Sequence, residues 1–280
     1  MTALRLPWPM TPCLISSTPD RPALTTGVIN WHVGRCGSSV LGSLLGRHPL
    51  IQSENEIFSR FMPRRRGEAP IPAMEDVFAA AETKRKLDFQ IVEIKYLKAQ
   101  NLGLYIGAEL EDWLNKALRH GFSMHMLMHR RNGLRRIISH LMAQRTGIYV
   151  LKDGNEPIQK AASEPIAIDF VNIKEGFAQF SLLEWLEMYE QSFCAMRDQL
   201  TVWCSKNGAA TPLILSYDED IKDSPLVGYH KVCNYLGVEP VQATIDLRQI
   251  NNKPLTELIL NLESISAILR PTRFAWMLDD

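Results

Sequence analysis

Residues 27–33 (GVINWHV) form a short apolar run rich in β-formers that ends at Gly34, and residues 38–47 follow at helical spacing. Val40, Leu41, Leu44 and Leu45 share one face of that segment, which stops before Pro49. Strand, glycine-containing turn and helix within about twenty residues point to an α/β protein. The pattern recurs. Residues 90–96 predict a strand followed by a helix through about Arg119, and residues 124–129 a strand followed by a helix over 134–144. Residues 212–217 predict a strand before a helix over 226–236, and residues 182–206 one long helix. Such alternation predicts a parallel β-sheet flanked by helices on both faces, as a single domain over residues 26–280. Residues 1–25 read as an N-terminal arm, and segments 63–72 and 147–165, rich in Pro, Gly and charge, read as loops.

Charge excludes several partners. Lys plus Arg and Asp plus Glu number 31 each, so no global field draws nucleic acid or an anionic membrane. Any anion site has to be built locally. The five cysteines are scattered, with neither metal spacing nor a disulfide framework, and suit a reducing compartment. Residues 1–20 carry prolines at 7, 9, 12 and 19 and no signal-peptide run, and no stretch approaches the roughly 20 apolar residues of a membrane span. A soluble, cytoplasmic protein is expected.

The strongest local signal is Gly34-Arg35-Cys36-Gly37-Ser38-Ser39, between the first strand and its helix. A glycine turn lets backbone N–H groups converge on an anion at a helix N-terminus, where the dipole adds favourable charge. Ser38 and Ser39 add hydroxyl donors and Arg35 a fixed cation. A serine N-cap after a tight turn accounts for the same residues without a ligand. No lysine follows Gly37, so this is not a Walker A loop.

From Arg35 to Leu41 the chain resembles the 5′-phosphosulfate loop of sulfotransferases, written [KR]-S-G-[ST]-[ST]-x-[LW], with Cys36 in place of the common serine. Arg131-Asn132, with Ser139 eight positions after Arg131, resembles that family's 3′-phosphate motif. Read alone, the same stretch is a solvated basic helix start, in which Arg130, Arg135 and Arg136 are surface or supporting charges. Tyr217-Asp218-Glu219 resembles the family's Y-E-D segment beside the donor nucleotide, although a lone tyrosine there is more often a core aromatic with a solvated hydroxyl. Asn234 to Val238 resembles a helix ending in F-L-G-[VL], where Gly237 is a C-cap. The tail over residues 255–277 resembles bacterial members, and Lys253 before it is a late cation for the 3′ phosphate.

The resemblance implies the donor 3′-phosphoadenosine 5′-phosphosulfate (PAPS), the product PAP and no metal requirement. It also implies a small-molecule or carbohydrate acceptor. Cytosolic members use a histidine in K-T-H-x-P as base, but residues 95–100 contain none. Carbohydrate and tyrosylprotein members use a glutamate after the first helix. Here His48-Pro49 precedes Ser53-Glu54-Asn55-Glu56, which places Glu56 at the base position with Glu54 as fallback. An exposed glutamate at a helix start near Ile57 is the competing reading. Lys95, at a strand end, is a candidate to touch the sulfuryl group or else a surface lysine with a buried stem. Two other classes compete: a P-loop small-molecule kinase, and a nucleotide-binding protein without turnover.

Overall fold

Five short strands carry the apolar runs, and every pairing between them is parallel. The computed structural model describes residues 25–62, 70–152, 164–248 and 253–279. Its main elements are β1 (Thr26–His32), α1 (Ser38–Leu45), β2 (Ile51–Glu56), α2 (Met74–Glu82), β3 (Phe89–Lys95) and α3 (Leu110–Arg119). They continue with β4 (Phe122–His129), α4 (Gly133–Thr146), α5 (Leu182–Lys206), β5 (Leu213–Ser216), α6 (Pro225–Leu236) and α7 (Leu262–Leu269). The strand order is β2-β3-β1-β4-β5. Register sets His32 beside Lys95, Glu56 beside Glu93, and His129 beside Ser216. This is the α/β parallel sheet that the sequence predicts.

Period-two alternation along β1 sorts its side chains between two apolar layers. Val28 packs with Leu41 and Leu44 of α1 and with Tyr229 and Val232 of α6. Ile29 and Trp31 turn the other way, into a larger cluster that includes Phe78, Trp113, Ile137 and Trp185. Helices covering both faces are what a parallel sheet of near-continuous apolar strands requires.

Helix ends follow local chemistry. The Asn132 side chain accepts the Arg135 N–H at 2.9 Å, and Ser181 with Glu184 forms a capping box on α5. Gly237, at φ 72°, closes α6 as expected.

Three segments depart from the expectation. Residues 51–56 are an edge strand rather than a helix start. Residues 96–109 are not helical throughout: a 3₁₀ turn at Asn101–Leu104 precedes α3, and Gly107 at φ 79° breaks the path. A hairpin of Ile173–Glu175 and Ala178–Phe180, unforeseen, turns at Gly176 and docks on Ala99, whose carbonyl accepts the Phe177 N–H at 2.9 Å. The expected arm over residues 1–24, loop residues 63–69 and residues 153–163 lie outside the described residues. The C-terminal tail closes on α4, where Asn132 Nδ2 donates to the Met277 carbonyl at 3.1 Å. No helix among the described residues is long and apolar enough to cross a membrane.

Candidate active site

The chain leaves β1 through α1 toward β2 on one side, and leaves β4 through α4 toward β5 on the other. Between β1 and β4 the direction reverses, and open parallel sheets bind ligands at the carboxyl ends of such strands. Residues 34–37 follow β1 there, and residues 130–132 follow β4. Gly34, Arg35 and Gly37 all take left-handed backbone, at φ 76°, 60° and 86°. In Arg35 that conformation costs about 1–2 kcal/mol, because its Cβ crowds the next carbonyl. A Cβ on Gly37 would stand 2.5 Å from Ile221 and 3.2 Å from the Tyr217 ring, so both backbone and packing require glycine.

The first peptide of the loop is fixed from both ends. Val33 O accepts from Arg136 Nη2 at 2.6 Å and Gln100 Nε2 at 3.1 Å, while the Gly34 N–H donates to His32 Nδ1 at 3.0 Å. Arg136 and Glu175 form a buried ion pair, and Gln100 donates to Glu175 at 2.7 Å. Beyond this anchored peptide, the backbone N–H groups of residues 35–40 donate to no acceptor among the described residues. Such converging donors at a helix start suit an anion.

On the β2–β3 side, Lys95 Nζ lies 2.9 Å from Glu56 Oε2, and its Cε passes 3.2 Å from where a Gly34 Cβ would be. Ser59 Oγ also donates to Glu56. Burial raises the Glu56 pKa, but Lys95, His32 and Ser59 outweigh it and hold the carboxyl below its ordinary value. Glu54 lies elsewhere, its Oε1 held by Gln52 at 2.7 Å and Gln90 at 2.5 Å.

Behind this pair, His32 Nε2 is 3.3 Å from Glu93. Burial opposes a charge on His32, Glu93 favours one, and the balance lifts its pKa to about 10. A doubly protonated ring cannot accept the Gly34 N–H, so protonation of His32 exchanges that hydrogen bond for the charge pairing with Glu93. His32, Glu56 and Glu93 place ligand atoms within 4.8 Å of one another, a grouping that could hold a cation. The Lys95 ammonium already supplies positive charge there, and a metal ion would have to displace it.

On the β4 side, Ser139 Oγ accepts from Arg35 Nε at 3.0 Å, joining the loop to the serine of the second motif. Arg35 Nη1 also donates to the Tyr149 carbonyl at 2.7 Å. Burial, then Arg136 and Arg130, lower the Arg35 pKa to about 10. Arg131 is exposed, with its guanidinium 3.3 Å from Glu219 and its N–H on Asp218. Tyr217 is buried beside Gly37. Lys253 presents its carbonyl to Arg135 at 2.6 Å. Arg136 and Arg130 are buried rather than surface charges.

The structure thus brings together Gly34 to Ser39, Lys95, Glu56, Ser139 and Tyr217, and leaves Arg131 on the solvent side. Sequence reasoning missed His32, Glu93, Gln100 and Glu175. A polar residue inside an otherwise apolar strand was the available signal for the first two. For Gln100 and Glu175 no local signal exists. A cleft of about 590 Å³ is lined by Tyr96, Lys98, Tyr105, Phe177, Phe180 and Met196 among others.

No protein-family model matches the chain, and no curated protein matches it. Among solved structures, it is similar to a sulfotransferase from Alicyclobacillus acidocaldarius, with 14% identity and a TM-score of 0.44 over 93% of this chain and 95% of that one. It is also similar to the sulfotransferase domain from the curacin biosynthetic pathway, with 12% identity and a TM-score of 0.39 over 78% and 79% of the two chains. A third likeness is to the sulfotransferase domain from the Synechococcus PCC 7002 olefin synthase, with 11% identity and a TM-score of 0.39 over 77% and 74%.

Proposed function

We propose that this protein is a PAPS-dependent sulfotransferase, moving a sulfuryl group to a hydroxyl or amine of a small-molecule or carbohydrate acceptor. The observation that carries this reading is the meeting, at one sheet edge, of an anion-type loop with an ionised carboxylate and a lysine. Lys95 stands beside Gly34 with Glu56 paired to it, and Arg35 with Ser139 flanks the other side. In-line sulfuryl transfer, like phosphoryl transfer, depends chiefly on positioning and charge stabilisation. Arg35 and the amides of residues 35–40 would stabilise charge developing on the leaving phosphate. Glu56 would take the acceptor proton, Lys95 would steady the sulfuryl oxygens, and Arg131, Ser139, Tyr217 and Lys253 would hold the nucleotide. The aromatic and apolar lining of the cleft at Tyr96 favours an acceptor with an apolar body.

The His32, Glu56 and Glu93 grouping is the feature that favours a second reading, a metal-dependent P-loop kinase. Thermal unfolding with PAP and with ATP–Mg²⁺ separates the two. Stabilisation by PAP in EDTA is expected for the sulfotransferase, and stabilisation by ATP–Mg²⁺ alone would replace it with the kinase. An acceptor screen with labelled donor tests turnover. Absence of transfer to any acceptor despite PAP binding would leave a nucleotide-binding protein.

A further inference from the structure

Arg130 is the first residue after β4, and its side chain turns inward, leaving the residue 7% exposed. Tyr189 anchors the backbone there, because its hydroxyl accepts from the Arg130 N–H at 3.1 Å and donates to the Arg130 carbonyl at 2.8 Å. Buried arginines are normally matched by a carboxylate, since an unpaired charge away from water is costly. Arg136 obeys this rule through Glu175. Arg130 does not: among the described residues no carboxylate pairs with it, and its buried Nε has no hydrogen-bond partner.

The guanidinium lies over the Tyr217 ring, 4.3 Å from its centroid. A cation–π contact offsets only part of the lost hydration. That ring also comes close to Gly37, which puts Arg130 and the loop against the same side chain. Arg35, across the loop, carries a second cation close enough to be influenced by Arg130. Two guanidinium groups and a row of unpartnered amides therefore lie near the same turn, and among the described residues no carboxylate pairs with either guanidinium. Self-repulsion makes this costly in the free protein and favourable around an anion.

We propose that Arg130 is a phosphate-binding residue: with Arg35 and the amides of residues 35–40, it holds a phosphate-type oxyanion over the N-terminus of α1. Arg131, one residue on and facing solvent, is then a peripheral contact. This inference rests on the sulfotransferase reading only for the ligand's name, and inorganic pyrophosphate tests it independently.

Calorimetry with pyrophosphate and with PAP is compared for the intact protein, Arg130→Gln and Arg130→Lys. Both ligands are expected to bind the intact protein, and Arg130→Gln is expected to weaken each by about 10- to 100-fold. Arg130→Lys, which keeps the charge, is expected to recover part of that loss. Pyrophosphate binding that depends on Arg130 while PAP binds no better would support this site and overturn the sulfotransferase reading. Unchanged pyrophosphate affinity in Arg130→Gln, or no pyrophosphate binding to the intact protein, would overturn the site whatever PAP does. The ligand-free melting temperature supplies a separate readout. A group retained for binding is removed at no loss, so Arg130→Gln is expected to melt at or above the intact protein. A drop of many degrees would make Arg130 a structural group and overturn the inference.

Discussion

Lys95 Nζ stands 2.9 Å from Glu56 Oε2, and the same side chain crosses the space left open by Gly34. One lysine from β3 therefore touches both the carboxylate that ends β2 and the loop that follows β1. It neutralises the carboxylate in a half-buried setting while standing beside the loop where the transferring group would lie.

If Glu56 is the base, Glu56→Gln keeps its size and much of its hydrogen bonding but cannot take the proton. Turnover is expected to fall by about 10²–10⁴-fold. PAP binding is expected to survive, because in the proposed reaction the donor's phosphates would lie beyond the transferring group. Glu54→Gln should be mild, since Glu54 is held by Gln52 and Gln90. Steady-state rates with calorimetry on both variants check this, and near-normal turnover in Glu56→Gln removes it from the chemistry.

The same pair sets a pH dependence. Burial works to raise the Glu56 pKa, and Lys95 and His32 bring it below the ordinary carboxylate value. The ionised base therefore persists as pH falls, and kcat/KM is expected to stay level from neutrality to about pH 5. A depressed folded-state pKa also means that its contribution to stability is present above the unfolded value and is lost as pH falls through the folded one. Lys95→Met removes the foremost influence opposing burial, so the acid limb should move to higher pH. An unmoved limb would assign it to another group.

Arg131→Ala and Ser139→Ala are expected to raise donor KM more than they lower kcat. On the proposed function each would remove a contact to the non-reacting phosphate, worth roughly tenfold to a hundredfold at Ser139 and less at Arg131, which faces solvent beside Glu219. Ser139→Ala also frees Arg35 Nε from its partner. PAP affinity should be equal in EDTA and in Mg²⁺. Strong dependence on Mg²⁺ would instead engage His32, Glu56 and Glu93 with a cation.

Arg136 and Glu175 are both buried, and together with Gln100 they pin the Val33 carbonyl. Glu175→Ala leaves a buried cation unpaired, and a loss of about 3–5 kcal/mol in denaturant unfolding is expected. Glu175→Gln keeps one hydrogen-bond acceptor and should lose less. A double replacement, Arg136→Met with Glu175→Leu, should recover much of the stability but not PAP binding, because the loop loses its anchor. Full PAP affinity in the double variant would show that the loop needs no such support.

The sequence alone determined the strand–turn–helix rhythm, because side-chain period and helix caps are local properties. Residues 182–206 read as one helix and fold as one, and Gly37 and Gly237 were legible as a turn and a cap. The loop arginine, Ser139 and Glu56 were legible as motif positions. Only tertiary structure decided the strand order and register, and with them which polar groups meet. Glu56 joins Lys95, and His32 joins Glu93, because β2, β3 and β1 lie side by side, which no window along the chain encodes. The edge strand β2 escaped notice because its polar run, with Ser53, Glu54, Asn55 and Glu56, lacks the apolar alternation that marks a strand. Arg130 and Arg131 are chemically equal neighbours in sequence. In the folded chain Tyr189 of α5 holds the Arg130 backbone in the core, the Arg130 side chain lies over Tyr217, and Arg131 faces outward to Glu219.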